Sequence, residues 1–281
     1  MRVLGRTNAH FPNVWLRLMP NDPPCAKELA AAAADAKTPL DVSGQPGLWG
    51  GVLRGQAAVP ILVRSSVDFE RATEESHAID LVQAHLIESL SALGRERIDF
   101  YFVRVRRALQ EYQINGVLQA LEMARQDEHI GSIGLIAEGS DFAVRSVWQF
   151  HDAFDLILLP RTHRDRSLYD ALAPMAQSRR VGIVTSDPLD WGGGLPFPML
   201  RPGTDPTAAV IHELSRDHPV LVNVRTPDDV TRAVNTGGEM PDLTPYIEAY
   251  EDSTAWDALR SDPRNWVREA VDRRWNGRRI A

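Results

Sequence analysis

The sequence predicts an α/β protein folded as a single (β/α)8, or TIM, barrel. Three observations carry this expectation. Eight short runs rich in Val, Ile and Leu recur with little polar alternation, the pattern of strands buried on both faces of a parallel sheet. Between them lie segments with apolar residues at three- and four-residue spacings, as in helices that bury one side. Strand and helix alternate about eight times, which favours a closed parallel barrel. A doubly wound sheet is the alternative, but its glycine-rich first turn is missing.

Val14–Leu18 supplies the first barrel strand. The others are Pro39–Val42, Pro60–Val63, Ile98–Val103, Ile130–Ile136, Phe154–Leu159, Val181–Thr185 and Val220–Val224. The first helix is the alanine-rich Cys25–Ala36. Ser76–Leu93 sets Ile79, Val82, Leu86, Leu90 and Leu93 on one stripe, and Gly94 closes it as a C-cap. Helices are also expected over Asn115–Gln126, Ser140–Phe150, Ser167–Gln177 and Thr207–Arg216. Thr226-Pro-Asp-Asp opens another, with an N-cap residue, proline at the first helical position and acids in the first turn. Two segments break the rhythm. Asp187–Thr204 is rich in proline and glycine, includes Gly192-Gly193-Gly194, and is too long for an ordinary strand-to-helix loop. The tail, residues 236–281, carries Tyr246, Tyr250, Trp256, Trp266 and Trp275 and is expected to be a helical extension packed on the barrel.

Composition narrows the function. The chain has 281 residues, 43% apolar and 25% charged, with a formal net charge of −7, which is ordinary for a globular protein. An acidic balance argues against nucleic acid as a partner. No apolar run reaches the ~18–20 residues of a membrane helix, and the N-terminus lacks a signal-peptide core. A cytoplasmic protein with no membrane partner is expected. The single cysteine, Cys25, leaves no internal disulfide or cysteine-based metal cluster. Only Lys27 and Lys37 are lysines, so any chemistry that needs an amine depends on one of these two.

Several stretches resemble the aldo-keto reductase family. Met1–Thr7 is similar to the family's opening hairpin, and Ala26–Asp41 to its first helix and second strand. Ile87–Tyr101 (IESLSALGRERIDFY) resembles its most specific helix-to-strand segment. Ile130–Leu135 and Gly182–Gly192 resemble its fifth and seventh strands, and the likeness runs in register from Met1 to about Asn235. The resemblance implies the barrel fold, with an N-terminal β-hairpin. It also implies hydride transfer from NADPH to a carbonyl, with a tyrosine as proton donor assisted by Lys, Asp and His.

In this register the Asp is kept as Asp41. The tyrosine would fall within Gly44–Gly47, where there is none. The lysine position holds Arg64 and the histidine position Arg104. The positions that hold the nicotinamide amide in the family carry Ile136, Ala137 and Leu158, and the stacking aromatic falls near Arg161. The 2′-phosphate arginine falls on Asp229 and the adenine asparagine on Ala233. Only Pro188, Leu189 and the glycines after them still look able to cradle a pyrophosphate. These departures predict a divergent active site that needs no cofactor, with NADP(H) as the alternative.

In such barrels the site lies at the C-terminal ends of the strands. Those ends carry Asp41, Arg64, Ser65, Arg104, Arg161, His163, Arg164, Ser186, Asp187 and Arg225. Arginine grips carboxylate or phosphate in a two-pronged way, so a small anionic molecule is the expected partner. Asp41, His163, Arg64 and Arg104 are the candidate catalytic residues, with His163 or Asp41 moving a proton. Arg161, Arg164, Arg225, Ser65, Ser186, Asp187 and Trp191 are the candidate substrate contacts, while Trp15 and Trp49 could also line a pocket. Asp41, His163 and Asp187 are too few for a metal site. Three functions stay open. One is non-redox chemistry on the bound anion, such as isomerisation, elimination or condensation. Another is a non-catalytic scaffold or pseudoenzyme. The third is residual NAD(P)H-dependent carbonyl reduction.

Overall fold

The computed structural model describes residues 2–19, 23–54, 56, 58–148, 152–161, 167–186, 211 and 215–234. A two-stranded antiparallel hairpin comes first: β1 (Arg2–Val3) and β2 (His10–Phe11). The barrel strands are β3 (Val14–Leu18), β4 (Leu40–Asp41), β5 (Ile61–Arg64), β6 (Ile98–Val105), β7 (Ile130–Ala137), β8 (Leu156–Pro160), β9 (Gly182–Ser186) and β10 (Val220–Val224). They pair in parallel in the order β3 to β10, and β10 closes on β3. The helices are α1 (Pro23–Asp35), α2 (Pro46–Leu53), α3 (Glu75–Leu93), α4 (Glu111–Gln126), α5 (Asp141–Trp148), α6 (Ser167–Ser178) and α7 (Pro227–Val234). The expected eight-stranded barrel is therefore the observed one, and each strand sits where its apolar run placed it. The expected Thr207–Arg216 helix falls mostly outside the described residues, and the 236–281 extension falls wholly outside them.

The core has two compartments, and alternation along each strand sorts residues between them. Trp15, Leu62, Phe100, Phe102, Ile136, Leu156, Leu158, Val184 and Leu221 fill the barrel lumen. Leu16, Leu40, Ile61, Val63, Tyr101, Val103, Leu135 and Ile157 face outward and pack under the helices. The hairpin closes the lower end. Phe11 meets Trp15 edge-on with ring centroids 5.8 Å apart, and Phe100 at 5.1 Å. Leu4 joins the same cluster, and Gly5 lies so close to the start of β9 that an added Cβ would be 2.1 Å from the Gly182 nitrogen. Above this floor Phe102 crosses the lumen. Gly134, its register partner on β7, makes room: a Cβ there would come within 2.3 Å of the Phe102 ring.

Two expectations about tryptophan are corrected here. Trp15 is fully buried in the lumen floor, and Trp49 is fully buried on α2. Both are core, and neither is a pocket wall. α2 is the helix that the sequence reading left out. It begins with Pro46 and packs on the end of α3, where a Cβ on Gly50 would be 2.0 Å from the Ala92 carbonyl oxygen.

Candidate functional site

The lumen-facing parity, carried one step past the apolar layer, selects the residues at the upper mouth. It brings Arg17, Asp41, Arg64, Arg104, Ser186 and Asn223 to the C-terminal ends of β3, β4, β5, β6, β9 and β10. Register sets two of them side by side, with Arg17 opposite Asp41. Arg64 lies opposite Phe102, so Arg104 is the next inward position on the neighbouring strand.

Asp41 is the anchor of one half. It is buried, and its Oδ1 accepts hydrogen bonds from the Ser43 backbone N–H at 3.0 Å and from the Ser43 hydroxyl. The Ser43 hydroxyl in turn accepts the Arg64 backbone N–H at 2.6 Å. The other carboxylate oxygen of Asp41 faces Arg64 Nε at 2.8 Å and Arg17 Nε at 3.8 Å. The angle of the short contact is poor for a hydrogen bond, so both atoms lack one and attract as charges alone. Asp41 is thus a fixed counter-ion for two guanidiniums. The contacts it makes hold Arg64 and Arg17 in place.

The second half is looser. Arg104 Nε lies 3.5 Å from Glu138 Oε1, just beyond the end of β7. Glu138 is shared: its other oxygen accepts from Arg106 Nε at 3.3 Å. Arg104 is 22% exposed and Glu138 36%. Burial pulls the Arg104 pKa below the usual arginine range, Glu138 opposes that pull, and the like charges of Arg64 and Arg106 add to it. The interior Nε of Arg104 makes no hydrogen bond.

The remaining candidates divide. Ser186 faces the lumen and is nearly buried. Arg161 follows Pro160 on the outward parity and does not join the mouth. Its guanidinium lies 4.5 Å above the Tyr169 ring and 3.4 Å from Asp217. Ser65 is also outward, buried, and accepts the Val67 N–H at 3.1 Å. Arg225 is exposed after β10, and its backbone N–H donates to Asp229. His163, Arg164, Asp187 and Trp191 lie outside the described residues. Arg17, Asn223 and Glu138 are absent from the residues that the sequence predicts for the site. A charged residue two positions after the lumen residue Trp15 was the available signal for Arg17. No three His, Cys, Asp or Glu side chains among the described residues form a metal-binding group.

No family model matches this sequence, and no curated protein does. Solved structures match it well. An aldo-keto reductase from Bacillus halodurans, in its holo form, superposes with a TM-score of 0.70 at 16% identity, over 89% of this chain and 95% of that one. An aldo-keto reductase from Brucella melitensis gives 0.67 at 13% identity, over 87% and 95%. The fold is that of the aldo-keto reductases. A mutant of the protein Gox0644, solved in complex with NADPH, gives 0.66 at 15% identity, over 85% and 89%.

The NADPH complex corrects one expectation. The sequence predicts no cofactor, whereas the Gox0644 mutant, a barrel of this same fold, holds NADPH, which points to NADP(H). The described residues fit the group poorly at the positions that the sequence resemblance assigns to it. Ile136, Ala137 and Leu158 are buried and apolar, and Arg161 is turned away. At the start of α7, Asp229 accepts the backbone N–H groups of Arg225 and Thr226, both at 3.0 Å, and Thr226 Oγ accepts the Asp229 N–H. This helix end is closed by its own side chains. The segment resembling the pyrophosphate cradle, Pro188 onward, lies outside the described residues. No step below is routed through NADP(H).

Proposed function

We propose that the mouth of this aldo-keto-reductase-type barrel binds a small anionic metabolite, a carboxylate or a phosphate ester, through Arg64 and Arg104. The observation that supports it is the state of the two guanidiniums. Both face the mouth, both keep a buried Nε without a hydrogen bond, and neither donates a side-chain hydrogen bond to any described residue. Arg64 is buried and Arg104 partly so, each shares its acid with another arginine, and an anion with two oxygens supplies the acceptors they lack. The reaction that goes with this site is non-redox chemistry on the bound anion, in which the arginines offset charge developing on the substrate. His163 is the residue proposed to move the proton, because Asp41 is committed to Arg64 and Ser43.

A different observation favours a second reading, NADP(H)-dependent carbonyl reduction: solved structures that match this fold include aldo-keto reductases, and another match was solved with NADPH. A single titration separates the two. Phosphate, a panel of small carboxylates, NADPH and NADH are added to the wild type, Arg104→Ala and Arg64→Lys, and tryptophan fluorescence is followed. The first reading expects anion binding that weakens about tenfold in Arg104→Ala, the loss of one charged hydrogen-bonding partner. Anion binding that is equal in all three proteins contradicts it. Micromolar NADPH binding, with its oxidation by an aldehyde, favours the second.

A further inference from the structure

The two acids at the mouth are held very differently, and this asymmetry says where a ligand enters. Asp41 is buried, two hydrogen bonds from Ser43 lock one of its oxygens, and Arg64 faces the other at 2.8 Å. Releasing it would strand both a buried carboxylate and a buried guanidinium, which is costly. Glu138 has no such lock. It is 36% exposed, lies 3.5 Å from Arg104, and is also bound by Arg106, itself 57% exposed. Among the described residues, its carboxylate makes no ion pair or hydrogen bond other than those with these two arginines.

Resting on the anion-binding reading above, we propose that Glu138 is a built-in stand-in for the ligand: it covers Arg104 in the free protein, and an incoming carboxylate or phosphate displaces it. Arg106 then keeps Glu138 at the rim, and the ligand takes the Arg104 fork. Arg64 keeps Asp41 throughout. The exchange trades one carboxylate for another group of like charge, so little net charge is buried. The lowered Arg104 pKa agrees with this: burial pulls it down, and the loose, shared Glu138 offsets that pull only in part.

The test measures binding of inorganic phosphate, of malonate and of NADPH by calorimetry. The proteins are the full-length wild type, Glu138→Gln, Arg104→Ala and Asp141→Asn. Glu138→Gln removes the competitor and is expected to bind phosphate and malonate about two- to fivefold more tightly, the worth of one partly exposed ion pair. Asp141 is a nearby exposed acid paired with Arg145, so Asp141→Asn controls for a general change in field and is expected to match the wild type. Equal binding of every one of the three ligands by wild type and Glu138→Gln, with loss in Arg104→Ala, overturns the stand-in and leaves the anion site intact. Equal tightening in both acid variants also overturns it. No binding of phosphate or malonate by any protein overturns the anion site itself. If only NADPH shows the tightening, the displacing anion is the dinucleotide's phosphate. If phosphate and malonate show it too, any small anion suffices.

Discussion

Asp41 balances Arg64 and Arg17 and is tied by Ser43 to the backbone of β5. Asp41→Asn removes the charge while keeping the shape, leaving the buried Arg64 without its counter-ion. The expected cost is about 3 kcal/mol in urea unfolding. A change below about 0.5 kcal/mol would show that Arg64 is compensated elsewhere. The residues at the mouth were only partly legible from sequence. The resemblance located Asp41, Arg64 and Arg104, because it supplied a register. It did not separate Arg161, which strand parity turns outward onto Tyr169, from the residues that face in. Glu138 stands one place past the end of β7, and only its spacing of two from the lumen residue Ile136 marks it.

At the scale of elements, α3 is fastened to the outside of β5 and β6 by a polar chain. His85 Nε2 accepts the Ser66 backbone N–H at 3.3 Å, so in the neutral ring Nδ1 carries the hydrogen and donates it to the Tyr101 hydroxyl at 2.7 Å. Tyr101 is also hydrogen-bonded to Ser65, and burial raises its pKa. Burial lowers the His85 pKa below its ordinary 6.5; Glu88 opposes the shift and Arg104 reinforces it. A protonated ring would set a second donor against the Ser66 N–H. The sign follows from linkage. Below pH 6.5 the unfolded chain takes up the proton first, so stability falls as pH drops through 6.5 and levels off below the folded pKa. Thermal melts of wild type and His85→Gln from pH 8 to pH 5 are expected to converge as pH falls. A constant gap across that range would contradict the neutral, bonded His85.

The same scale shows why α2 escaped the sequence reading. Its PGLWGGVL sequence is poor in helix formers, and two glycines in its middle read as loop. Tertiary packing overrides that: Trp49 is buried and Gly50 lets the helix lie directly on the end of α3. Where propensity and periodicity agreed, as in α3 with its left-handed Gly94 at φ 62°, the helix and its end were both readable.

At the scale of the whole molecule, the barrel was legible because eight strands buried on both faces leave eight unmistakable apolar runs. The hairpin was legible through resemblance alone, since two-residue strands carry no periodicity. Cofactor use was not legible. It depends on how a few strand-end residues and the 187–204 segment meet a ligand, and fold does not determine that. A chain with a net charge of −7 that gathers Arg17, Arg64 and Arg104 at one mouth, against two acids, concentrates positive potential where the strands end.

The most direct test of that account is a crystal structure of the protein with the tightest-binding small carboxylate from the panel. The carboxylate is expected in the mouth, with its oxygens about 2.7–2.9 Å from the Arg104 guanidinium, and Asp41 still on Arg64. A carboxylate seated away from Arg104 and Arg64 at saturating concentration would contradict it.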